Sequence, residues 1–429
     1  MERKKVLIIS YYWPPNGGAG VQRWLKFTKF LPENGWDPII YTPENPEFVQ
    51  HDTSLLKDVH PSTVVLKNKI WEPYAIFRAL SGNKGFKQNQ GIVFKEGKLR
   101  FIEKLALYLR SNLLIPDPRV FWVRPSVKFL STFLKETKVD AIVTTSPPHS
   151  LHLIGLQLKK KFDIPWIADF RDPWSKWDIL NDKFNLSKRA LKKHQQLERS
   201  VLNSADLTLC ASFTWADELK ELGAKETATI TNGYDESDFP TPNSSKTNFI
   251  IGHYGLINEY RNPENLWIAL DQLIKENADF EEKIELRITG SISSVVRDQI
   301  EALPHLKNKT IFSPPISHSE VIQEYLSCSV LLLLTNNSTN NKGHFPGKLF
   351  EYIGSETPIL GYTQPDSDSA KVLRETQNEV FFEESVEELK NKVLHFFHHQ
   401  GKKEKPEKYS RRSLTKQLTE HLNALTVSQ

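Results

Sequence analysis

Lys348 and Glu351 stand three residues apart in NKGHFPGKLFEYIGSETPILGYT, residues 341–363, which reads as loop, helix, tight turn and strand. At that spacing a cation near a helix start and a carboxylate one turn later share roughly one face. A cation in the first turn runs against the helix dipole. A bound phosphate would compensate it, because a helix start offers free N–H groups and a positive dipole end. Glu351 could then accept hydrogen bonds from ribose hydroxyls, and Gly343 and Gly347 would let the backbone approach the ligand closely. A plain surface Lys–Glu pair explains the same spacing equally well. The apolar runs at Val330–Leu334 and 358–362 make the unit strand, loop, helix, strand. In parallel sheets such a loop lies at the carboxyl end of a strand, where ligands bind.

A second polar group lies in the first half. The strand at 165–170 runs into Arg171-Asp172-Pro173-Trp174. Alternation puts Asp169 and Arg171 on one side, with Asp172 just past the end. His149 follows the neighbouring strand at 140–145. Two carboxylates, an arginine and a histidine at strand ends make a polar site. A buried Asp169–Arg171 ion pair and a capping His149 are the structural alternative. Near the start, YWPPNGGAGVQRW (residues 12–24) follows the first strand. Its Gly18-Ala19-Gly20 needs glycine or alanine at Arg23 to complete a dinucleotide fingerprint, so that reading fails. Gly17 and Gly18 are instead expected to let the backbone approach a substrate.

The elements that must position these residues alternate between strand and helix in both halves, which implies an α/β class with two doubly wound sheets. A length of 429 residues fits two domains. The acidic, then proline-bearing and small-polar stretch at 234–248 marks the boundary. We expect a first domain at 1–238, a second at 246–405, and a final helix in 406–429 set apart from the second. Residues 83–96 read as a mobile loop. Residues 99–114 read as a helix with Ile102, Leu105, Ala106, Leu109 and Leu113 on one face. Such a helix could lie on an anionic membrane surface, though packing on its own domain is the commoner outcome. The net charge of +4 does not argue for nucleic acid. Cys210 and Cys328 sit in apolar stretches without ligand spacing, which suggests a reducing compartment and no disulfide framework. No apolar run reaches the length of a membrane span. The basic start MERKKVLIIS is too short in its apolar part for a signal peptide and reads as a first strand. A cytoplasmic location follows.

Taken in order, several stretches resemble one family. They are the Gly17-Gly18 loop, IPWIADFRDPW at 164–174, TNGYDESDF at 231–239, IGHYGL at 251–256 with Arg261, and GKLFEYIGSETPIL at 347–360. Together they are similar to the GT-B glycosyltransferases, particularly the retaining class called glycosyltransferase group 1, or family 4-like. The resemblance runs over nearly the whole chain. It implies two Rossmann-like doubly wound domains facing a cleft, with a C-terminal helix crossing back to the first. It places the acceptor on the first domain and a nucleotide-diphosphate sugar on the second. Arg261 and Lys348 would hold the diphosphate and Glu351 the ribose, with Asn232, Gly255 and Gly347 in the same site. His149, Asp169 and Arg171 would stand at the reaction centre, and Gly17, Gly18 and Asp172 on the acceptor side. No metal or further cofactor is expected, because cations aimed at a leaving diphosphate stabilise its developing charge. The acceptor would be a glycan, a lipid-linked or a small molecule in cell-surface polysaccharide or glycoconjugate synthesis. Peripheral membrane contact would fit such an acceptor, on the cytoplasmic face.

The sequence departs from the family at three points. Gly343 stands where the first of two glutamates, with seven residues between it and the second, is usual. Leu256 replaces an arginine after the glycine of the second domain's first strand, and Arg171 replaces a histidine. A nucleotide-sugar epimerase of the same fold and a non-catalytic nucleotide-binding homologue remain as alternatives.

Overall fold

The runs VLII, AIVTTS, WIADF and VLLLL are buried along their length. Strands covered by helices on both faces must be apolar throughout rather than alternating. The computed structural model of the chain describes residues 3–47, 51–73, 108–176, 186–240, 248–337 and 342–427. It divides into two units, one holding Met1–Thr231 and Arg411–Gln429, the other Asn232–Ser410. The boundary thus falls seven residues before position 238, and the terminal segment changes unit at Arg411.

In the first unit the order is β1 (Lys4–Ile9), α1 (Ala19–Phe30), β2 (Trp36–Pro43), β3 (Val64–Asn68), α2 (Val120–Glu136), β4 (Ala141–Ser146), α3 (Ser150–Phe162), β5 (Trp166–Phe170), α4 (Lys188–Leu202), β6 (Leu207–Cys210), α5 (Phe213–Glu221) and β7 (Thr227–Thr229). The strands form one parallel sheet in the order β3-β2-β1-β4-β5-β6-β7. The chain winds one way from β1 to β3 and the other way from β4 onward, so the β1/β4 pair is the switch point.

The second unit holds β8 (Phe249–Ile257), α6 (Glu264–Glu276), α7 (Ala278–Lys283), β9 (Ile284–Ile292), α8 (Ser294–Glu301), β10 (Thr310–Ser313), α9 (His318–Ser327), β11 (Val330–Leu334), α10 (Leu349–Gly354), β12 (Ile359–Tyr362), α11 (Asp368–Glu375), β13 (Glu379–Phe381) and α12 (Val386–His398). Its parallel sheet has the order β10-β9-β8-β11-β12-β13, with the switch point at β8/β11. The terminal helix α13 (Arg411–Val427) belongs to the first unit. Its Leu414, Leu418 and Leu422, spaced at one per turn, join the core of Val21, Trp24 and Trp36. Asn423 accepts a hydrogen bond from Trp36 Nε1 at 3.2 Å.

Several elements differ from the sequence reading. The edge strands β3 and β13 had no counterpart in it, and β8 and β9 run three residues further than their apolar cores. Of the helix expected at 99–114, residues 108–113 are helical; its earlier part and the loop at 83–96 lie outside the described residues. Both cysteines are buried, and neither is in a disulfide. Among the described residues no helix is long and apolar enough to cross a membrane.

Candidate functional site

The extension of β8 and β9 past their apolar cores builds a seat for Lys348. Gly255 pairs with Gly290 across the two strands. Their φ angles, +138° and +134°, lie where L side chains rarely go. A Cβ on Gly290 would overlap the Gly255 carbonyl, and a Cβ on Gly255 would overlap Lys348 Nζ. The Lys348 ammonium therefore lies directly over the end of β8, at the switch point of the second sheet. Lys348 itself is the residue before α10, not in its first turn as the sequence suggested. The turn at Pro346 causes this: Leu349 N–H donates to the Pro346 carbonyl at 3.0 Å, and the helix starts only there. Gly347, beside it, is exposed.

The electrostatics around Lys348 are open. Among the described residues its ammonium makes no hydrogen bond and no ion pair. Burial lowers its pKa to about 7; the Arg261 charge pushes the same way and Glu351 opposes. Arg261 ends a short 3-10 turn, Glu259–Arg261, after β8. Its Nε donates to Asn336 Oδ1 at 2.5 Å, while Asn337 N–H donates to the Tyr260 carbonyl at 2.8 Å. These two bonds join the loops that follow β8 and β11. Arg261 has no carboxylate partner among the described residues. His344, in the loop after β11, is held neutral by burial and by Arg261, with its pKa pushed down to about 4.

Glu351 does not pair with Lys348. Its Oε1 meets His318 Nε2 at 3.2 Å and its Oε2 accepts from Tyr325 O–H at 3.2 Å. Both partners come from α9, so one helix orients the carboxylate. The simple surface-pair reading does not describe this geometry, since Lys348 and Glu351 are both partly buried and each faces other groups. Asn232, half-buried, is the first residue of this unit.

The first unit arranges its polar residues differently. Asp169 is fully buried. Arg23 Nη2 and Nε reach its Oδ1 at 3.0 and 3.2 Å; Trp24 Nε1 and Thr145 Oγ1 donate to Oδ2 at 2.7 and 2.8 Å. The Asp169–Arg171 ion pair, the structural alternative read from the sequence, does not form; Asp169 pairs with Arg23, because α1 brings Arg23 over the end of β5. Arg171 instead spends its fork on three backbone carbonyls: Ser146 at 2.8 Å, Gly20 at 2.8 Å and Pro147 at 3.1 Å. Those carbonyls lie in the stretches after β1 and β4, so Arg171 ties together the two sides of the first switch point. Gly18, with φ +94°, is the residue before α1, and half-buried Gly17 precedes it.

His149 lies flat on Trp174, with centroids 4.9 Å apart and planes 10° from parallel. Burial first, then the neighbouring His152, His194 and Arg171 charges, hold it well below the usual histidine range. It precedes α3 without capping it; Asp117 does that, accepting from Ser150 N–H at 2.8 Å. Among the described residues the buried Nδ1 of His149 has no hydrogen-bond partner. Asp172, half-buried, is raised by burial while Arg171 opposes and Asp169 adds. Among the described residues Asp172 has no hydrogen bond or salt bridge. Five further residues enter these sites: Arg23, Gly290, His318, Tyr325 and Asn336. Only Arg23 carried a signal in the sequence, as the bulky residue that spoiled a glycine fingerprint. Among the described residues no cluster of His, Cys, Asp or Glu has the makings of a metal site.

Residues 103–233 match the family model "Glycosyl transferase 4-like domain", and residues 235–413 match "Glycosyl transferases group 1". Among solved structures the chain is similar to the sucrose-phosphate synthase of Thermosynechococcus elongatus, at 14% identity, TM-score 0.57, covering 99% of this chain and 97% of that one. It is similar to the lipopolysaccharide outer core galactosyltransferase WaaB in its apo form, at 14% identity, TM-score 0.54, covering 98% and 99%. A candidate UDP-N-acetylglucosamine 2-epimerase from Listeria monocytogenes matches at 10% identity, TM-score 0.57, covering 100% and 98%. At these identities the likeness is one of fold. No curated protein matches the sequence.

Proposed function

The chain belongs to the group 1 glycosyltransferases, and from that premise we propose that it moves a sugar, with retention, from a nucleoside-diphosphate sugar to a hydroxyl-bearing glycan, lipid-linked or small-molecule acceptor. The observation that carries this reading is the Lys348–Arg261 pair. Two cations share a partly buried switch point, and among the described residues neither has a carboxylate within ion-pair distance. A buried charge without a partner is costly, and a diphosphate supplies the partner. Lys348 and Arg261 hold the diphosphate oxygens. As the glycosidic bond breaks, negative charge grows on those oxygens, and cations already in place stabilise it without reorganisation. Glu351, steadied by His318 and Tyr325, accepts from the ribose hydroxyls. Gly255 leaves room for the Lys348 ammonium and Gly347 for the donor, and Asn232 stands at the start of the same unit. A metal is not required for this role.

On the acceptor side, Asp172 is the carboxylate with capacity to spare, and it accepts from the acceptor hydroxyl. Asp169 has all its lone pairs engaged, so it acts as a positioning residue, as does Arg171, which holds the Gly17-Gly18 loop against the loop bearing His149. Stacked neutral His149 then forms part of the acceptor wall. The epimerase reading keeps a footing because a candidate epimerase shares the fold. Incubation with a panel of nucleoside-diphosphate sugars and an acceptor pool separates the two by mass and chromatography. A heavier acceptor with release of nucleoside diphosphate is expected. A new isomer of the donor with no acceptor gain would overturn transfer.

A further inference from the structure

The helix α2 turns two kinds of face outward at once. Its inner side buries Trp122, Val123, Ser126, Leu130 and Ser131. Its outer side, at helical spacing, is Phe121, Arg124, Pro125, Lys128, Phe129, Thr132 and Lys135, all exposed. Phe121 is 44% exposed and Phe129 37%. Trp71, at 55%, packs edge-on against Phe121 with centroids 4.8 Å apart. A single exposed phenylalanine is ordinary. Two partly exposed rings on one helix face, Phe121 touching exposed Trp71 and Phe129 resting its inner side on buried Tyr41, interleaved with cations, are not. No aspartate or glutamate occurs between Asp117 and Glu136, so nothing on the helix neutralises Arg124 and Lys128 before its last residue.

Another basic helix of the first unit, α4, sets the contrast. Its exposed side carries Lys188, Arg189, Lys192, Lys193 and Arg199 with glutamines and a serine, and no aromatic ring. That is a solvated face. The α2 face has the composition of a segment that rests in a lipid–water interface, where rings sit among acyl chains and cations meet anionic headgroups.

We infer that the outer face of α2, with Trp71, is a docking surface for an anionic lipid bilayer. The occupant follows from charge: the cations select an anionic partner, and the rings select one that is apolar just beneath its charge. This inference does not depend on the proposed transfer reaction. The helix would lie in the membrane plane, with Phe121, Phe129 and Trp71 in the interface and Arg124 and Lys128 at the phosphates.

The test is sedimentation of the full chain with vesicles of phosphatidylcholine, alone or with one-third phosphatidylglycerol. Binding to the anionic vesicles, weakened by salt, is expected, with little to the neutral ones. Each cation near an anionic surface contributes about fivefold in binding. R124E/K128E should therefore weaken binding at least about 25-fold, and F121S/F129S should weaken it strongly while the salt dependence persists. K192E/K193E, an equal charge change on α4, should stay within twofold. Should a variant misfold, the wild-type chain still answers: brominated acyl chains should quench its tryptophan fluorescence, and Trp71→Phe should lose that quenching. Equal binding to neutral and anionic vesicles, loss caused only by the α4 pair, or quenching indifferent to Trp71 would overturn the inference. Binding of a protein partner in place of lipid would appear as no vesicle binding at all, and would overturn it as well.

Discussion

The two units share a six-strand order around the same kind of switch point, the first adding β7 at its edge, yet they leave opposite things undone there. In the first, charges are spent internally. Asp169 is closed off by Arg23, Trp24 and Thr145, and Arg171 by three carbonyls. In the second, the loops after β8 and β11 are tied by one backbone N–H and by one nitrogen of Arg261. The rest of that guanidinium and the whole Lys348 ammonium stay open. One crevice is built to be rigid and nearly neutral, the other to receive an anion. Under the proposed function, the same fold would scaffold an acceptor in one unit and offer a charge-complementary site for a donor in the other.

The comparison can be broken first at Asp169. If its charge serves structure, Asp169→Ala leaves Arg23 buried and unpaired and should cost about 3–5 kcal/mol of stability in the first unit. Chemical denaturation followed by tryptophan fluorescence measures this. A stable variant that has lost only turnover would return Asp169 to the chemistry. Next is Gly255→Ala. The added methyl displaces Lys348 Nζ, and nucleoside-diphosphate affinity should fall by about ten- to 150-fold, the worth of a hydrogen bond to a charged group. Calorimetry checks it, with the melting transition of the first unit unchanged.

Arg171→Ala releases the clamp across the first switch point. A misplacement on the order of 1 Å can cost about a hundredfold in rate, so kcat should fall by up to that factor while nucleoside-diphosphate affinity holds. An equal loss of both would mean that the clamp supports the whole fold. The smallest effect concerns pH. Lys348, with a pKa of about 7 in the free protein, must be charged to hold a diphosphate. Binding raises that pKa, so affinity should be flat below pH 7. Above it, affinity should fall by up to about tenfold per unit until the pKa of the bound state is reached. Lys348→Arg, charged throughout, should abolish the slope.

Much of this was legible before any coordinates. Buried strands such as VLLLL announce a parallel sheet, whereas the spacing of Lys348 and Glu351 at a strand end fits a ligand site and a surface pair alike. What escaped the sequence has physical reasons. The edge strands β3 and β13 are short and half-exposed, so they lack the apolar run that marks a buried strand. Alternation along β5 set Asp169 and Arg171 on one side, but alternation is silent about which helix comes to lie over them. Arg23 arrives from 146 residues away. The role of Gly290 depends on register with Gly255, and the His318 and Tyr325 contacts to Glu351 depend on how α9 packs. None of these is a local property of the chain.

The central claim is that Lys348 is an open cation awaiting a diphosphate. Titration calorimetry of wild type and Lys348→Ala against uridine, guanosine and adenosine diphosphates, and against the three nucleosides, tests it directly. For whichever base binds, the substitution should weaken the diphosphate by roughly ten- to 150-fold and leave the nucleoside nearly unchanged. Equal affinities of wild type and variant for every diphosphate that binds, with the fold intact, would contradict it.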